Sequence, residues 1–235
     1  MATFVHGRKF DWEPNHDPKS RNFRAVTGVM SLRTSRRWVL RNGVLDQGEE
    51  GACVGHGTIN AASTPRMRII LPDPQKTAFG MYYGSRRIDE WPGEDYDGTS
   101  VNAGCKLAVE FGLASGYRWC FGVEEVAQVI LDKSPVIIGV NYLEDMFNPS
   151  PLGLVSVSGA VAGGHCMCVI GFYRNGLAGL GINEPVFCVR QSWGTSFGAH
   201  GNIFITYDGM NKLLQDQGEA AVLEPIPYAS IGRVS

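Results

Sequence analysis

The chain has 235 residues and 44% of them are hydrophobic, which is enough for one sizeable globular unit or for two lobes that share a cleft. The net charge is −2, so the composition gives no reason to expect nucleic acid or an anionic membrane surface as a partner. No run of about 18 apolar residues occurs, which argues against a membrane-spanning helix. Residues 1–9 lack the apolar run of a signal peptide, and we therefore expect a cytoplasmic protein.

Residues 1–40 form a polar segment that carries five arginines between Arg21 and Arg37. Pro14 and Pro18 disfavour a long helix there. We expect these residues to form an extended N-terminal arm that lies on the body of the protein, residues 41–235. A disordered tail is the alternative.

Four helices are predicted in the next part of the chain. The first covers residues 53–62 and the second covers residues 77–87. The third begins after Ser100, whose side chain is suited to cap it, and runs to residue 111. The fourth covers residues 123–132, where the apolar side chains share one face.

Strands are predicted after Pro135. Buried-strand patterns occur at residues 136–140, 166–172, 186–189 and 203–207. Helices followed by strands predict an α+β fold with two lobes rather than a doubly wound sheet. We place a mainly helical lobe at about residues 41–134 and a strand-rich lobe at about residues 135–235.

The sequence has six cysteines: Cys53, Cys105, Cys120, Cys166, Cys168 and Cys188. None belongs to a C-x-x-C pair, so a zinc ribbon is not expected. Cys166 and Cys168 alternate along an apolar run and would point the same way from a strand. The simplest interpretation is a set of small buried thiols in a reduced protein. No metal or cofactor is predicted.

Cys53 differs from the other cysteines in its position. It begins a predicted helix, and the dipole at a helix N-terminus favours the thiolate. Gln47 precedes it by six residues, and the small residues Gly51 and Ala52 let the backbone turn tightly and leave the sulfur open. The side-chain amide of Gln47 and the Cys53 N–H can then converge as two donors for an oxyanion. A core cysteine and a surface glutamine are the alternatives.

His165 is the best placed of the five histidines to act as a base. It follows two glycines at the edge of a predicted strand. His6 and His16 lie in the arm, and His200 lies in a glycine-bounded turn. His56 lies on the first predicted helix rather than across a cleft from it. The alternative is that His165 is a structural residue.

Gln191 and Trp193 follow the strand predicted at residues 186–189. The side-chain carbonyl of Gln191 could accept a hydrogen bond from the second ring nitrogen of His165 and fix its tautomer. The Trp193 indole could cover that hydrogen bond from water, which strengthens it because the local dielectric falls. Without a cysteine partner, Trp193 would be an ordinary core residue.

Three blocks of this sequence resemble the papain-like cysteine peptidases. Residues 46–53, Asp-Gln-Gly-Glu-Glu-Gly-Ala-Cys, are similar to that family's glutamine-to-nucleophile segment. Residues 163–171 resemble its histidine strand. Residues 190–198 resemble its asparagine-serine-tryptophan-glycine block, and residues 201–205 resemble the strand after it. The blocks stand in the family's order.

The resemblance implies a two-lobed fold, with the Cys53 helix in one lobe and His165 on an antiparallel β-barrel-like second lobe. Cys53 would be the nucleophile, and His165 its ion-pair partner and general acid/base. Gln191 would orient His165, and Gln47 would be the oxyanion donor. The implied activity is hydrolysis of peptide bonds through an acyl-enzyme, with a peptide or protein as substrate and no cofactor.

The sequence departs from the family pattern in several places. Gln191 stands where the family has asparagine, and its extra methylene is expected to weaken the orientation of His165. Glu50 replaces a disulfide cysteine, which fits a reducing compartment, and Val54 replaces an aromatic residue. The spacing from Cys53 to His165 is shorter than the roughly 130–150 residues of papain relatives.

The arm is too short for the long inhibitory propeptide of secreted members of the family. It is more similar to the short N-terminal extension of bacterial and phage-type members. We expect the arm to cross or border the cleft and to regulate access to it.

Substrate-binding positions follow from the same resemblance. Gly98 and Thr99 would offer backbone groups to an extended substrate. Gly139 and Cys166 would line a side-chain pocket, and Trp193 would border the site. An acidic stretch nearby contains Asp89, Glu90, Glu94, Asp95 and Asp97. It is either a solvated loop or a rim that attracts basic substrates.

Two other classes of function stay open at this point. Gln191 allows a non-catalytic peptide-binding protein on a peptidase scaffold. An acyl-enzyme could also serve a transamidase or a peptidoglycan-cleaving enzyme. The natural substrate and the oligomeric state do not follow from the sequence.

Overall fold

The computed structural model describes residues 3–5, 7–26, 28, 31–89, 91 and 97–227. Glu90, Glu94 and Asp95 of the predicted acidic stretch lie outside the described residues. The architecture is α+β, as the sequence predicts: helices pack on both faces of one antiparallel sheet.

The structure has five α-helices of two turns or more in its described part. They are α1 (Cys53–Ala62), α2 (Pro74–Ile88), α3 (Val101–Glu110), α4 (Val123–Asp132) and α5 (Tyr207–Gln215). The four predicted helices are confirmed. Ser100 caps α3, since its Oγ accepts a hydrogen bond from Ala103 N at 3.1 Å. Residue 207, predicted as the end of a strand, instead begins α5, because Thr206 Oγ1 caps that helix by accepting from Gly209 N.

Nine strands are present in the same residues. They are β1 (Thr3–Val5), β2 (Arg8–Phe10), β3 (Ser35–Arg37), β4 (Gly116–Trp119), β5 (Val136–Leu143), β6 (Val161–Tyr173), β7 (Val186–Arg190), β8 (Asn202–Thr206) and β9 (Glu219–Glu224). β1 and β2 form a hairpin within the arm. The others form a seven-stranded antiparallel sheet in the order β4-β9-β5-β6-β7-β8, with β3 paired to β6. This sheet is not closed into a barrel.

The two faces of the sheet pack against different helices. One face, with Val169 and Phe187, packs against α4 and α5. The other face packs against α1, α2 and α3 and carries Cys166, Cys168 and Cys188. All six cysteines are free and buried. The division into lobes at residues 134–135 stays a prediction.

Helix α1 is the centre of the helical layer, and all ten of its residues are buried. It approaches α2 so closely that a Cβ on Gly55 would lie 2.1 Å from the carbonyl oxygen of Ala78 and 2.7 Å from the backbone nitrogen of Tyr82. Glycine is therefore required at position 55, because a side chain there would collide with the backbone of α2.

None of the helices in the described part of the chain has the length and continuous apolarity needed to cross a bilayer.

Two glycine-to-alanine substitutions test this packing. Gly55→Ala should lower the free energy of unfolding by about 1–3 kcal/mol, because the added methyl group meets backbone that cannot rotate away. Gly80→Ala is the matched control: it lies on α2 with no atom within 4 Å of its added Cβ, and should raise that free energy by up to about 1 kcal/mol through helix propensity. Urea unfolding followed by circular dichroism measures both. Equal effects of the two substitutions would contradict the proposed α1–α2 contact.

Candidate active site

Cys53 is the first residue of α1, as predicted, and follows the N-cap residue Ala52. No side chain caps this helix, so the free N–H groups and the dipole of α1 are directed toward the thiol. The Cys53 side chain packs in the same buried cluster as Trp12 and Cys166. Cys166 is the residue next to His165 on β6, so the helix start and the histidine strand meet at this place.

His165 lies within β6 and is held by Gln191. The distance between His165 Nε2 and Gln191 Oε1 is 2.9 Å, and both residues are fully buried. A carbonyl oxygen can only accept, so Nε2 carries the proton and donates it. The other ring nitrogen, Nδ1, is buried with no hydrogen-bond partner in the described part of the chain. Nδ1 therefore holds a free lone pair.

The surroundings of Gln191 determine which way its amide points. Its Nε2 lies 3.0 Å from the Met167 sulfur, a weak acceptor, so Oε1 faces the imidazole. The Trp193 indole is stacked on the His165 ring, with ring centroids 4.6 Å apart and planes 22° apart. Trp193 thus shields the imidazole from water. The contact predicted between Gln191 and His165 is present despite the longer side chain.

Gln47 is buried and oriented by a residue that the sequence analysis missed. Ser192 Oγ donates to Gln47 Oε1 at 2.6 Å, so the NH2 end of the amide must point the other way. That NH2 group donates to Glu50 O at 2.8 Å and to Lys9 O, a carbonyl of the arm, at 3.3 Å. Ser192 belongs to the Gln-Ser-Trp-Gly block, but its contact with Gln47 could not be foreseen because the two residues are remote in sequence.

Residues of the N-terminal segment form hydrogen bonds with the backbone groups predicted for a substrate. Thr99 N donates to Asp11 O at 2.9 Å, and Glu13 N donates to Thr99 O at 3.1 Å. Trp12 N donates to Gly164 O at 3.0 Å. Gly98, beside Thr99, is buried. These hydrogen bonds place residues 11–13 beside Thr99 and Gly164, and control of access by the arm stays a prediction.

Two aromatic side chains of the arm fill the space around the site. Phe10 contacts His165 and Trp193 edge to face, with centroids 5.5 and 5.8 Å apart. The Trp12 ring lies against Gly139, where an added Cβ would fall 2.1 Å from Trp12 Nε1. The Trp12 ring therefore packs directly on the backbone of Gly139, and a substrate pocket at Gly139 stays a prediction.

Charged residues of the arm also find partners at the cleft. Lys9 forms an ion pair with Asp97 at 2.7 Å, so this member of the acidic stretch binds a basic side chain. Arg8 lies over the Trp193 ring and 3.5 Å from Asp46. Exposed pairs of this kind contribute little individually, about 0–1 kcal/mol. The backbone and aromatic contacts therefore dominate the seating of the arm.

Burial of the Cys53 thiol opposes the thiolate that the dipole of α1 favours. Burial raises the pKa of Cys53 to about 12, although backbone hydrogen bonds from Cys166 and Asp11 act to lower it. Burial also lowers the pKa of His165 to about 4, against the opposing effect of the Gln191 hydrogen bond. Both shifts favour the neutral forms of Cys53 and His165, because desolvation penalises the charged forms.

Two carboxyl groups at the arm interface hold protons more tightly than usual. Burial raises the pKa of Asp11 to about 6 and that of Glu219 to about 7. A raised carboxyl pKa means that the closed form loses stability as pH rises from about 4 toward 7. The pKa of His165 is lowered, so it acts in the opposite sense: the closed form of the protein loses stability as pH falls below 6.5, the ordinary pKa of histidine.

In the described part of the chain no group of three or more His, Cys, Asp or Glu side chains is arranged to hold a metal ion.

Comparison with known proteins identifies the class of fold. No family model matches the chain. The crystal structure of xylellain, a cysteine protease from Xylella fastidiosa, superposes with a TM-score of 0.71 at 15% identity, over 97% of this chain and 98% of that one. Procathepsin B S9 from Trypanosoma congolense gives 0.66 at 14% identity, over 92% and 87%. Bromelain from Ananas comosus gives 0.58 at 13% identity, over 83% and 100%.

A curated relative is an uncharacterized peptidase C1-like protein of Acanthamoeba polyphaga mimivirus. It is 19% identical over 230 residues, with 77% of this chain and 70% of the relative covered. Together with the structural neighbours, it confirms the resemblance stated above: this chain has the α+β fold of the papain-like cysteine proteases.

Removal of the two arm aromatics should expose the thiol. In the native chain, burial raises the pKa of Cys53 to about 12 and so lowers its thiolate fraction near neutral pH. We expect iodoacetamide to label Cys53 at least about tenfold faster in Phe10→Ala/Trp12→Ala than in the native chain, since the sulfur is then hydrated. The matched control is Leu32→Ala, an arm residue that is 98% exposed. Mass spectrometry locates the label; equal rates in all three chains would show that the arm does not cover the thiol.

Proposed function

We propose that the protein is a thiol-dependent peptidase whose active site consists of Cys53, His165, Gln191 and Gln47, and that the arm holds it closed. The observation that carries this proposal is the buried His165–Gln191 hydrogen bond. It fixes the imidazole with its proton on Nε2 and leaves Nδ1 unpaired. An unpaired buried nitrogen has an energetic cost, which a proton from a nearby thiol would relieve.

The first chemical step is proton transfer within the opened cleft. When the arm leaves, water and the helix dipole favour the charged forms, and the Cys53 proton moves to His165 Nδ1. The thiolate attacks the carbonyl carbon of a peptide bond, and the carbonyl oxygen gains the negative charge. The Gln47 NH2 group, freed from Lys9 O, and the Cys53 N–H would stabilise that oxyanion.

The second half of the reaction returns the enzyme to its starting state. His165 gives its proton to the leaving amine as the C–N bond breaks, and an acyl-enzyme remains on Cys53. His165 then accepts a proton from water, whose oxygen attacks the thioester. The acid is released, and the proton returns to Cys53. Gln191 keeps one imidazole tautomer throughout, and Trp193 covers the hydrogen bond that does so.

The arm resists attack because of what it presents to the sulfur. A backbone hydrogen bond from Asp11 acts to lower the pKa of the Cys53 thiol, so the arm would present the Asp11 N–H group to the sulfur. The carbonyl oxygen of Asp11 is bound to Thr99 N instead. An N–H group offers no electrophile, so the arm would act as a competitor of the substrate rather than as a substrate.

The substrates would be peptides or proteins bound in extended form along Thr99 and Gly164, as the arm is. Residues 1–40 would act as the regulatory arm and residues 41–235 as the catalytic body. Six free buried thiols suit a reducing compartment such as the cytoplasm. The His165–Gln191 contact supports catalysis over the non-catalytic alternative, since a binding module has no need of a fixed imidazole tautomer.

Substitution of the proposed catalytic residues tests the mechanism. In the arm-loosened chain Phe10→Ala/Trp12→Ala, Cys53→Ala and His165→Ala should each lower kcat for a fluorogenic peptide library by at least about a thousandfold, because the two residues act as one unit. Cys120→Ala serves as the matched control and should leave kcat nearly unchanged. The Cys120 thiol is buried on the face of the sheet that packs against α4 and α5, away from Cys53. Retained hydrolysis in Cys53→Ala would exclude the mechanism.

A further inference from the structure

His56 lies on α1 one turn after Cys53 and has no part in the mechanism proposed above. Its side chain is fully buried, and the Phe79 ring of α2 packs on it edge to face, with centroids 5.0 Å apart. His56 Nδ1 lies 2.8 Å from the carbonyl oxygen of Ala52. A carbonyl oxygen can only accept, so Nδ1 carries the proton. Burial lowers the pKa of His56 to about 4, which favours a neutral ring with a lone pair on Nε2.

Gln75, in the first turn of α2, donates to that lone pair. Gln75 Nε2 lies 3.2 Å from His56 Nε2. The same amide also holds both backbone groups of Asp46. Gln75 Oε1 accepts from Asp46 N at 3.0 Å, and Gln75 Nε2 donates to Asp46 O at 2.6 Å. The Gln75 side chain therefore pairs with Asp46 as the backbone of a neighbouring strand would.

The opposite side of this segment is held by the residues that follow β7. Asp46 forms an antiparallel bridge with Trp193, and Gln47 N donates to Ser192 O at 2.8 Å. Gln47 thus follows a residue that is fixed from two directions, by the segment after β7 and by the Gln75 amide on α2. The position of the Gln47 side chain depends on both.

The Ala52 carbonyl that His56 binds belongs to the same peptide group as the Cys53 N–H. A peptide group is planar, so a contact that fixes the direction of its C=O also fixes the direction of its N–H. Ala52 O accepts from His56 N at 3.1 Å in addition to His56 Nδ1. Hydrogen bonds in a chain polarise one another, so the two bonds to this oxygen also make the Cys53 N–H a better donor.

We propose that His56 and Gln75 are positioning residues for the two oxyanion donors. The inference rests on the proposed function, in which the Cys53 N–H and the Gln47 NH2 group stabilise the oxyanion. His56 holds the first donor through the Ala52 carbonyl. Gln75 holds the segment of the second donor through the backbone that precedes it. The hydrogen bond between His56 and Gln75 joins the two, and so sets the distance and angle between donors from different parts of the chain.

Such positioning matters only for a reaction that develops negative charge on an oxygen. Loss of one whole oxyanion donor lowers kcat by about 10²–10³-fold, so loss of its support should lower kcat by at least about tenfold. Alkylation by iodoacetamide is different: the Cys53 thiolate attacks the methylene carbon, the C–S bond forms, and iodide leaves with the electrons of the C–I bond. No oxyanion forms, so the rate of alkylation should not depend on His56 or Gln75.

Two substitutions in the arm-loosened chain test the inference. His56→Phe removes both side-chain hydrogen bonds but keeps a buried aromatic ring, and Gln75→Leu removes the hydrogen bonds to the segment of Gln47. Each should lower kcat for the fluorogenic peptide library by at least about tenfold, with KM within about twofold, because the oxyanion exists only after attack. Alkylation of Cys53 should keep its rate within about twofold in both variants.

The matched control is Thr58→Val. Thr58 is buried on α1, and its Oγ1 donates to the carbonyl of Val54 at 2.8 Å, so this substitution also removes a side-chain hydrogen bond to a carbonyl four residues earlier on the helix. That carbonyl belongs to a different peptide group from the Cys53 N–H, and kcat should change less than about twofold. Equal kcat in His56→Phe, Gln75→Leu and this control would overturn the inference.

A second outcome would also overturn it. Gln75 is only half-buried, so Gln75→Leu is the milder substitution and is informative even where His56→Phe fails to fold. A loss of alkylation rate in Gln75→Leu that matches the loss of kcat would show that the network supports the fold of the helix start rather than the oxyanion donors.

Binding of aldehydes separates this inference from the proposed function. The Cys53 thiolate adds to the aldehyde carbon, and the carbonyl electron pair becomes the charge of an oxyanion, with no bond to the leaving group to break. A mixed pool of N-acetylated tripeptide aldehydes should protect Cys53 from iodoacetamide in the arm-loosened chain. Half-protection should need at least about tenfold more aldehyde in His56→Phe and in Gln75→Leu.

The outcomes of the two assays are distinct. Weakened aldehyde protection in the two variants, without peptide turnover in any chain, would refute the peptidase and keep the role of His56 and Gln75. Turnover with equal protection in every variant would refute that role and keep the peptidase. Absence of protection in the arm-loosened chain itself would also overturn the inference, since no oxyanion site would then exist.

Discussion

The hydrogen bond from His165 Nε2 to Gln191 Oε1 is the interaction on which the site depends. It is buried, it is covered by a stacked indole, and it leaves the Nδ1 lone pair of the imidazole without a partner. Because Gln191 follows β7 and His165 lies on the neighbouring strand β6, the sheet itself fixes their separation. In the proposed mechanism, the thiol at the start of α1 and the amide held by Ser192 can act only if this imidazole is oriented.

Desolvation determines the state in which the chain rests. A rise in the pKa of Cys53 from 9.0 to about 12 corresponds to on the order of 4 kcal/mol against the thiolate. The dipole of α1 contributes at most about 2 kcal/mol in its favour, so the neutral thiol prevails while the arm is seated. The same arm buries Glu219 and leaves one of its oxygens unpaired. In the proposed mechanism, closure of the arm disfavours the Cys53 thiolate, and opening of the arm removes that effect.

Much of this arrangement could be predicted from the sequence, and the remainder depends on contacts between remote residues. The helix that starts at Cys53 and the amide–imidazole contact followed from local patterns and from the spacing of motifs. The position of Glu219 beside Gly139 could not be predicted from the sequence, because it arises only from the pairing of β9 with β5. The raised pKa of Cys53 could not be predicted from the sequence, since the helix dipole is a local property whereas the thiol is buried in part by an arm some 40 residues earlier in the chain.

The central claim, that the thiol and the imidazole form a reactive pair once the arm leaves, can be tested by the protonation state of His165. Long-range ¹H–¹⁵N NMR spectra report the charge and tautomer of the imidazole at pH 7.5. We expect a neutral ring with its proton on Nε2 in the native chain, and an imidazolium in Phe10→Ala/Trp12→Ala that disappears when Cys53→Ala is added. A neutral His165 in the arm-loosened chain, or an imidazolium that persists without the Cys53 thiol, would contradict the account.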